Sequence, residues 1–140
     1  MDIPFTLKVY NEKSLSYYGD DITKKFFERL KSKEFSTVRC KKCGKILLPP
    51  KPFCDMCYGS KLEWVQLPSS GRLYAFTQQG KAFRFSTPDV IGIVEFDNRC
   101  RILTRINGRY EDLKIGMQVE LEFLELEQGV VLHQFKLVHK

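Results

Sequence analysis

Two stretches decide the fold of the cysteine-rich part of the chain, Cys40-Lys41-Lys42-Cys43-Gly44 and Cys54-Asp55-Met56-Cys57-Tyr58-Gly59. Each holds a Cys-x-x-Cys pair. Because structural zinc is bound by four ligands and thiolates suit it, the pairs predict one zinc site with four ligands, Cys40, Cys43, Cys54 and Cys57. We expect Gly44 and Gly59 to adopt the positive φ that closes each turn around the metal. Two redox-active pairs are the alternative, but such motifs rarely occur twice at this spacing. Zinc with four protein ligands has no open position, so the predicted role is structural.

The cysteine usage favours a reducing compartment. Four of the five cysteines fall in the two pairs, a pattern that in the cytosol indicates metal binding rather than disulfides. Residues 1–4 lack the basic start and apolar run of a secretory signal. The longest apolar runs, such as 90–94, are too short to span a bilayer. We therefore expect a cytoplasmic protein with no membrane partner.

The positive charge is concentrated before and within the cysteine-rich part. Residues 1–61 hold 13 Lys and Arg against 7 Asp and Glu, whereas residues 62–140 hold 10 against 10. A zinc ion with four thiolates removes two charges from the first total, which still leaves it basic. This balance indicates an anionic partner without saying which kind.

An amphipathic helix is predicted just before the cysteine-rich part. Asp20 or Asp21 offers an N-cap, and the apolar residues that follow recur at helical spacing over residues 21–33. The adjacent pair Phe26 and Phe27 could pack on the chain's own core or on a partner. We assign residues 1–36 to an N-terminal helical segment, 37–66 to a zinc ribbon and 67–140 to a barrel domain.

Short alternating segments after residue 61 predict strands, and glycine, asparagine and proline residues separate them. Five or so strands in the last part of the chain indicate a small closed barrel of the OB-fold type. The fold class is therefore mainly β, with an N-terminal helix, a rubredoxin-like zinc ribbon and a C-terminal OB-fold barrel. The strands are predicted at 61–67, 72–77, 90–96, 101–106, 118–126 and 130–138.

The residues do not assemble a recognisable catalytic set. His133 shares a predicted strand face with apolar neighbours, which indicates a core histidine, and His139 lies one residue from the end. Cys100 alternates with Ile102 on the inner side of its strand, as expected of a buried, inert thiol. No nucleophile elbow, metalloprotease helix, phosphate loop or dinucleotide fingerprint is present in the sequence. We expect the chain not to be an enzyme on its own.

Two features could bind a ligand. Arg99, Arg101 and Arg105 fall on one side of a predicted strand and form a basic stripe able to meet phosphates. The alternative is a solvated face whose arginines pair with glutamates across strands. The second feature is the segment 78–88, which mixes aromatic and basic residues at a place where OB-folds often bind extended ligands. It could equally be a strand edge with a buried phenylalanine pair. Its candidate ligand-binding residues are Lys81, Phe83 and Arg84.

The order of several sequence blocks resembles one family, the zinc-ribbon and OB-fold proteins first catalogued as domain of unknown function thirty-five. The resemblance covers about residues 20–138. The family usually has Arg where this chain has Lys51, and Pro where it has Asp55. The blocks are Arg39-Cys40-Lys41-Lys42-Cys43-Gly44, Pro49-Pro50-Lys51, Cys54-Asp55-Met56-Cys57, Leu62-Glu63-Trp64-Val65-Gln66-Leu67, Gly71-Arg72-Leu73-Tyr74-Ala75-Phe76-Thr77, Ile91-Gly92-Ile93-Val94-Glu95-Phe96 and Leu113-Lys114-Ile115-Gly116-Met117-Gln118-Val119.

The resemblance implies a non-catalytic, acyl-CoA-binding adaptor. Such proteins accompany a thiolase and hydroxymethylglutaryl-CoA synthase, or related lyases, and hold the CoA moiety so that a thioester intermediate passes between active sites. Holding the intermediate raises its effective concentration at the second site. The competing hypothesis is a module that binds single-stranded nucleic acid, since OB-folds and zinc ribbons both occur in such proteins.

Overall fold

The computed structural model describes residues 21–80, 89–97, 100–126 and 129–138. In chain order it contains helix α1 (Asp21–Lys31) and the strands β1 (Ser36–Cys40), β2 (Ile46–Leu47), β3 (Leu62–Gln66), β4 (Ser70–Gln79), β5 (Asp89–Glu95), β6 (Arg101–Asn107), β7 (Gln118–Glu125) and β8 (Val131–Leu137), with a 3-10 helix at Tyr110–Asp112 between β6 and β7. Within the described residues, no helix is both long and apolar enough to cross a membrane.

The cysteine-rich part forms a small antiparallel sheet in the order β2-β1-β3. Its core contains Val38 and Leu47 together with the two thiols of Cys40 and Cys54, all nearly free of solvent contact. Thr37 is also buried, and its hydroxyl donates to the Leu47 carbonyl. So few apolar residues cannot hold a sheet together unaided, which is why this part needs a metal.

The C-terminal strands close into a barrel in the order β4-β5-β6-β8-β7, with β4 paired back to β7. All neighbouring strands are antiparallel except β6 and β8, which are parallel. The register of β4 shifts between Leu73 and Ala75, so Tyr74 sits in a bulge. Gly92 is required where β4 crosses β5 closely, because a Cβ atom there would lie 2.7 Å from the Ala75 carbonyl oxygen. The strand order and closure are those of an OB-fold.

An aromatic cluster joins the helix and the ribbon to the barrel. Phe35, in the connection between α1 and β1, lies 6.0 Å from Phe135 and 6.2 Å from Phe96 between ring centroids. Phe26 of α1 is buried against the same barrel core, and its ring lies 6.0 Å from that of His133 on β8. Of the two arrangements that the sequence allowed for Phe26, packing on the chain's own core is therefore the one observed, and packing on a partner is not.

The predicted fold class is confirmed. The helix ends two residues earlier than predicted, at Lys31, where the chain turns through the left-handed conformation of Lys33, φ 63°. Each predicted strand is present, with bounds that differ by up to two residues. The predicted helix cap at Asp20 and the first part of the 1–36 segment lie outside the described residues.

Candidate metal centre and barrel surface

Four cysteine sulfurs meet at the tip of the ribbon. The Sγ atoms all lie within 4.8 Å of one another, and those of Cys40 and Cys57 are 3.6 Å apart. Cys43 and Cys54 form the second close pair, at 3.5 Å. Zinc bound tetrahedrally at about 2.3 Å places its sulfur ligands about 3.8 Å apart. The donor set and its dimensions therefore fit zinc, and the structure brings together the four cysteines that the sequence predicts.

The two turns that present these sulfurs have the same hydrogen-bond pattern. In the first, the Gly44 N–H donates to the Cys40 carbonyl at 2.8 Å. In the second, the Tyr58 N–H donates to the Cys54 carbonyl at 2.9 Å. Gly44 has a φ of 79° and the equivalent Tyr58 a φ of 62°. The expectation that Gly59 supplies the positive φ is wrong, because the turn closes one residue earlier, at Tyr58.

Gly59 lies beside the sulfurs, but lack of space does not require a glycine there. A Cβ atom at this position would lie 3.4 Å from the Cys57 sulfur and 3.7 Å from the Cys40 sulfur, which are ordinary van der Waals distances. Neither backbone conformation nor close approach therefore explains this glycine.

Backbone N–H groups prepare the sulfurs to bind a cation. The N–H of Cys43 is the main reason that the pKa of Cys40 falls to about 6, and the N–H of Cys57 lowers the pKa of Cys54 in the same way. For Cys43, the N–H of Lys45 also favours the thiolate, but the neighbouring Cys54 sulfur and burial outweigh it and raise the pKa to about 11. Four thiolates this close together therefore require the positive charge of a metal ion.

The two positions at which the chain departs from the family pattern contact each other. Lys51 Nζ lies 2.8 Å from Asp55 Oδ2, and Lys45 Nζ lies 2.5 Å from Oδ1 of the same carboxylate. These hydrogen bonds, first that of Lys45 and then that of Lys51, lower the pKa of Asp55 to about 2. The carboxylate is therefore neutralised within the ribbon.

On the barrel, the outward side of β4, β5 and β6 carries an apolar patch at its centre, with polar and charged residues around it. Ala75 pairs with Ile93, and Ile93 pairs with Leu103, so these side chains form a row across the three strands. Together with Ile91, and with Phe76 and Thr77 of β4, they line a shallow cavity of about 220 Å³. Leu103 is 66% exposed. We call Ala75, Ile91, Ile93 and Leu103 the outer aliphatic face.

The predicted basic stripe borders this face, but its described arginines are paired. Arg101 donates to Glu95 at 2.7 Å, and its guanidinium lies 3.9 Å from the centre of the Tyr74 ring. Arg105 donates to Asp89 at 2.7 and 2.9 Å. Its side chain is only 16% exposed. Both positive charges are thus met by carboxylates on β5. The other predicted ligand residues, Lys81, Phe83, Arg84 and Arg99, lie outside the described residues.

His133 and Cys100 pack against the barrel core, and both stay partly exposed. The Nδ1 atom of His133 lies 2.8 Å from the Thr104 hydroxyl, and its ring contacts Phe26 and Phe35. Burial lowers the pKa of His133 to about 4, so the imidazole is neutral at physiological pH. Burial likewise raises the pKa of Cys100, which packs against the core while staying partly exposed. These are properties of packing residues.

Sequence reasoning missed the outer aliphatic face and the left-handed Tyr58. A signal for the face was available in the run 90–94, which is apolar at every position. A barrel strand has one buried side, so a strand that is apolar on both sides must expose some of those residues. No comparable signal marks Tyr58, because tyrosine is not a residue that usually adopts positive φ.

Comparison with known proteins gives two adjoining family matches. Residues 27–63 match the model described as the ChsH2 rubredoxin-like zinc ribbon domain, and residues 64–124 match the ChsH2 C-terminal OB-fold domain. The two matches follow each other without a gap and in the same order as the ribbon and barrel of the structure.

Among curated proteins, the chain is 33% identical over 85 residues to a benzoylsuccinyl-CoA thiolase subunit, BbsA, from Thauera aromatica, a match covering 59% of this chain and 58% of the relative. The BbsA of Geobacter metallireducens is 30% identical, with 59% and 57% covered. The match thus spans less than two thirds of either subunit. A DUF35 domain-containing scaffold protein of Pyrococcus furiosus is 25% identical, with 66% and 74% covered.

Two solved structures are similar in fold. One is a chain of the Ltp2-ChsH2(DUF35) aldolase, with a TM-score of 0.72 and 27% identity, covering 80% of this chain and 91% of that one. The other is a DUF35-family protein of unknown function from Sulfolobus solfataricus, with a TM-score of 0.63, 20% identity and coverage of 88% and 90%. The second match supports the fold alone.

Proposed function

The chain belongs to the ChsH2 type of zinc-ribbon and OB-fold proteins, the DUF35 family, and on this premise we propose that it is a non-catalytic subunit of a thiolase-type enzyme. In this role it holds a CoA thioester intermediate while the partner carries out the chemistry. Two relatives are named as thiolase subunits, and a third is named as a scaffold protein. A second partner of the hydroxymethylglutaryl-CoA synthase type is part of the same proposal.

The observation that carries this proposal is the outer aliphatic face of the barrel. OB-folds commonly bind extended ligands on the outward side of their second and third strands, which in this chain are β5 and β6. Here that side presents Ile91, Ile93 and Leu103, while Arg101 and Arg105 at its borders are held by carboxylates. A neutral apolar face is suited to the pantetheine arm of CoA or to an apolar patch of an enzyme.

The same face argues against single-stranded nucleic acid. Proteins that bind single strands stack bases on exposed aromatic rings and contact the backbone with cations. Among the described residues, the outward positions of β5 and β6 hold aliphatic side chains, paired charged side chains and the amide of Asn107, and no aromatic ring. Tyr74 on β4 is exposed, but the guanidinium of Arg101 covers its ring.

We propose Lys81, Arg84 and Arg99 for the contacts to the CoA phosphates. Lys81 and Arg84 fall between β4 and β5 in sequence, and Arg99 falls between β5 and β6. Arg105 would be a poor choice for testing this assignment by mutation, because its removal leaves the buried Asp89 carboxylate without its partner.

The experiment is affinity purification of the tagged chain from native lysate, followed by mass spectrometry and calorimetric titration with CoA and acetoacetyl-CoA. We expect a thiolase-type enzyme in the eluate, binding of CoA, and no turnover of acyl-CoA by the isolated chain. Leu103→Ser should weaken CoA binding, whereas Ile115→Ser, at a residue of similar exposure outside the face, should not. Recovery of ribosomal or nucleic-acid machinery without acyl-CoA enzymes would overturn the proposal.

A further inference from the structure

The second cysteine turn exposes an unusual set of side chains. Phe53 is 47%, Met56 66% and Tyr58 78% exposed. All three lie within six residues of one another, on a turn that also holds two metal ligands. Large apolar side chains exposed together on a soluble domain commonly mark an interaction surface. We call Phe53, Met56 and Tyr58 the ribbon tip.

Tyr58 cannot be explained by the stability of the turn. The first turn has Gly44 at the equivalent place, with the same hydrogen bond to the carbonyl four residues earlier. A residue with a Cβ atom is strained in the left-handed conformation, which glycine adopts freely. Tyr58 therefore bears backbone strain without burying its side chain in return. Backbone strain of this kind is concentrated at functional sites.

Charged groups next to the ribbon tip indicate the chemistry of what it binds. Directly after Tyr58, a cavity of about 370 Å³ is lined by three lysines and two small residues, namely Lys41, Lys42, Lys61, Gly59 and Ser60. Within the part of the chain that the structure describes, none of these lysines takes part in an ion pair. The one carboxylate of the tip, Asp55, is already neutralised by Lys45 and Lys51. The surface is therefore apolar at its centre and cationic at one side.

We propose that the ribbon tip is the docking site for the thiolase-type partner, with Tyr58 inserted into an apolar pocket of the partner and acidic side chains of the partner reaching the cavity of Lys41, Lys42 and Lys61. This inference rests on the proposed function. Tyrosine is among the residues that most often dominate binding at protein interfaces. Opposite charges around such an anchor steer the encounter and fix its orientation. The zinc cluster holds the tip rigid, which lowers the entropy cost of binding.

The decisive variant is Tyr58→Gly, because it removes the anchor and relieves the strain together. With the full-length chain and the co-purified thiolase-type enzyme, we expect the Kd to rise at least about tenfold. The zinc content should stay unchanged, and the Tm should stay the same or rise by up to about 3 °C. A purely structural role for Tyr58 predicts the reverse, a lower Tm with unchanged affinity.

A matched pair of variants locates the surface. Met56 on the ribbon tip and Ile115, in the connection before β7, are similarly exposed, at 66% and 63%. Met56→Ser should weaken binding of the enzyme several-fold, and Ile115→Ser should change it less than twofold. Replacing all three lysines of the cavity by glutamine should weaken binding and reduce its dependence on salt concentration.

The outcomes separate this inference from the proposed function. If the enzyme binds the wild-type chain and Tyr58→Gly equally well, or if Leu103→Ser alone weakens the complex, the docking site is wrong and the proposed function stands. If the wild-type chain binds no thiolase-type enzyme, the proposed function fails and the docking site for that partner fails with it. Concentration-dependent dimerisation through the tip, lost in Tyr58→Gly, would assign the surface to a second copy of this chain and overturn the inference.

Discussion

The ribbon and the barrel are stabilised by different means. The buried apolar cluster of the ribbon has four members, and two of them are cysteines. The barrel has a continuous core to which α1 and Phe35 also contribute, extending from Phe26 to Leu137. Burial of apolar surface can stabilise the barrel, whereas the ribbon depends on bonds to a metal. The two parts should therefore respond differently to the same perturbation, although they share an aromatic junction.

The largest effect is expected from loss of one sulfur. Cys54→Ser should release zinc and unfold the ribbon, because binding of structural zinc is worth about 10 kcal/mol or more. The barrel amides should stay protected in hydrogen exchange, since Cys54 has no place in the barrel core. Zinc content by elemental analysis and amide exchange by mass spectrometry test both parts.

Cys100→Ser is the control for this experiment, because Cys100 lies outside the four-cysteine cluster. It should keep a full complement of zinc. Unchanged zinc in Cys54→Ser, or loss of protection throughout the barrel, would contradict the difference drawn between the two regions.

The second-largest effect is expected from loss of a core residue of the barrel, which should leave the ribbon intact. Phe135 is fully buried and its ring lies near those of Phe35 and Phe96. Phe135→Ala should lower the free energy of unfolding of the barrel by about 3 to 5 kcal/mol, through lost burial and the cavity left behind. Urea denaturation followed by circular dichroism measures it. The ribbon should keep its zinc in the same variant, and a proportional loss of metal would show that the two parts unfold as one unit.

Much of this architecture could be predicted from the sequence, because it depends on local spacing. The cysteine spacing predicts the site, and alternation along residues 101–106 correctly places Ile102 and Thr104 inside and Arg101 outside. Local spacing does not predict which residues that are distant in sequence contact each other. The pairing of Arg105 with Asp89, 16 positions away, needs the register of β5 and β6, so the sequence alone leaves that arginine free to bind phosphate.

The error at Gly59 has a different cause. A glycine after a cysteine pair predicts positive φ at the glycine itself, because glycine adopts that conformation freely. The second turn contains one more residue before its glycine than the first. That residue, Tyr58, takes the left-handed conformation instead.

A third, smaller effect is the pH dependence of the free energy of unfolding, and it should be confined to the barrel. The pKa of His133 is lowered by burial from 6.5 to about 4. Between these values the unfolded chain binds more protons than the folded chain, so the free energy of unfolding should fall as the pH drops from 6.5 to 4. The full shift corresponds to about 3 kcal/mol, and about 2 kcal/mol is expected for a partly exposed ring.

Because zinc thiolates are also protonated in acid, the test for His133 compares two slopes. His133→Gln removes the titrating group but keeps a polar side chain for Thr104. Barrel stability should depend less on pH in this variant than in the wild-type chain, when both are measured by urea denaturation between pH 4 and 7. Equal slopes would show that folding does not lower the pKa of His133.

The smallest effect is expected from the surface pairs of the ribbon. Asp55→Asn removes the shared partner of Lys45 and Lys51. In the wild-type chain the contribution of Asp55 is present above its usual pKa of 3.8 and is lost as the pH falls through about 2. All three side chains are partly solvent-exposed, so the Tm at pH 7 should fall by no more than about 2 °C, and the difference should shrink in high salt. Zinc content should be unchanged, because the metal and not the ion pairs holds the two turns together. If Asp55→Asn instead lost zinc at neutral pH, the pairs would have to be counted with the sulfurs as a condition for folding the ribbon, and its contrast with the barrel would no longer depend on the metal alone.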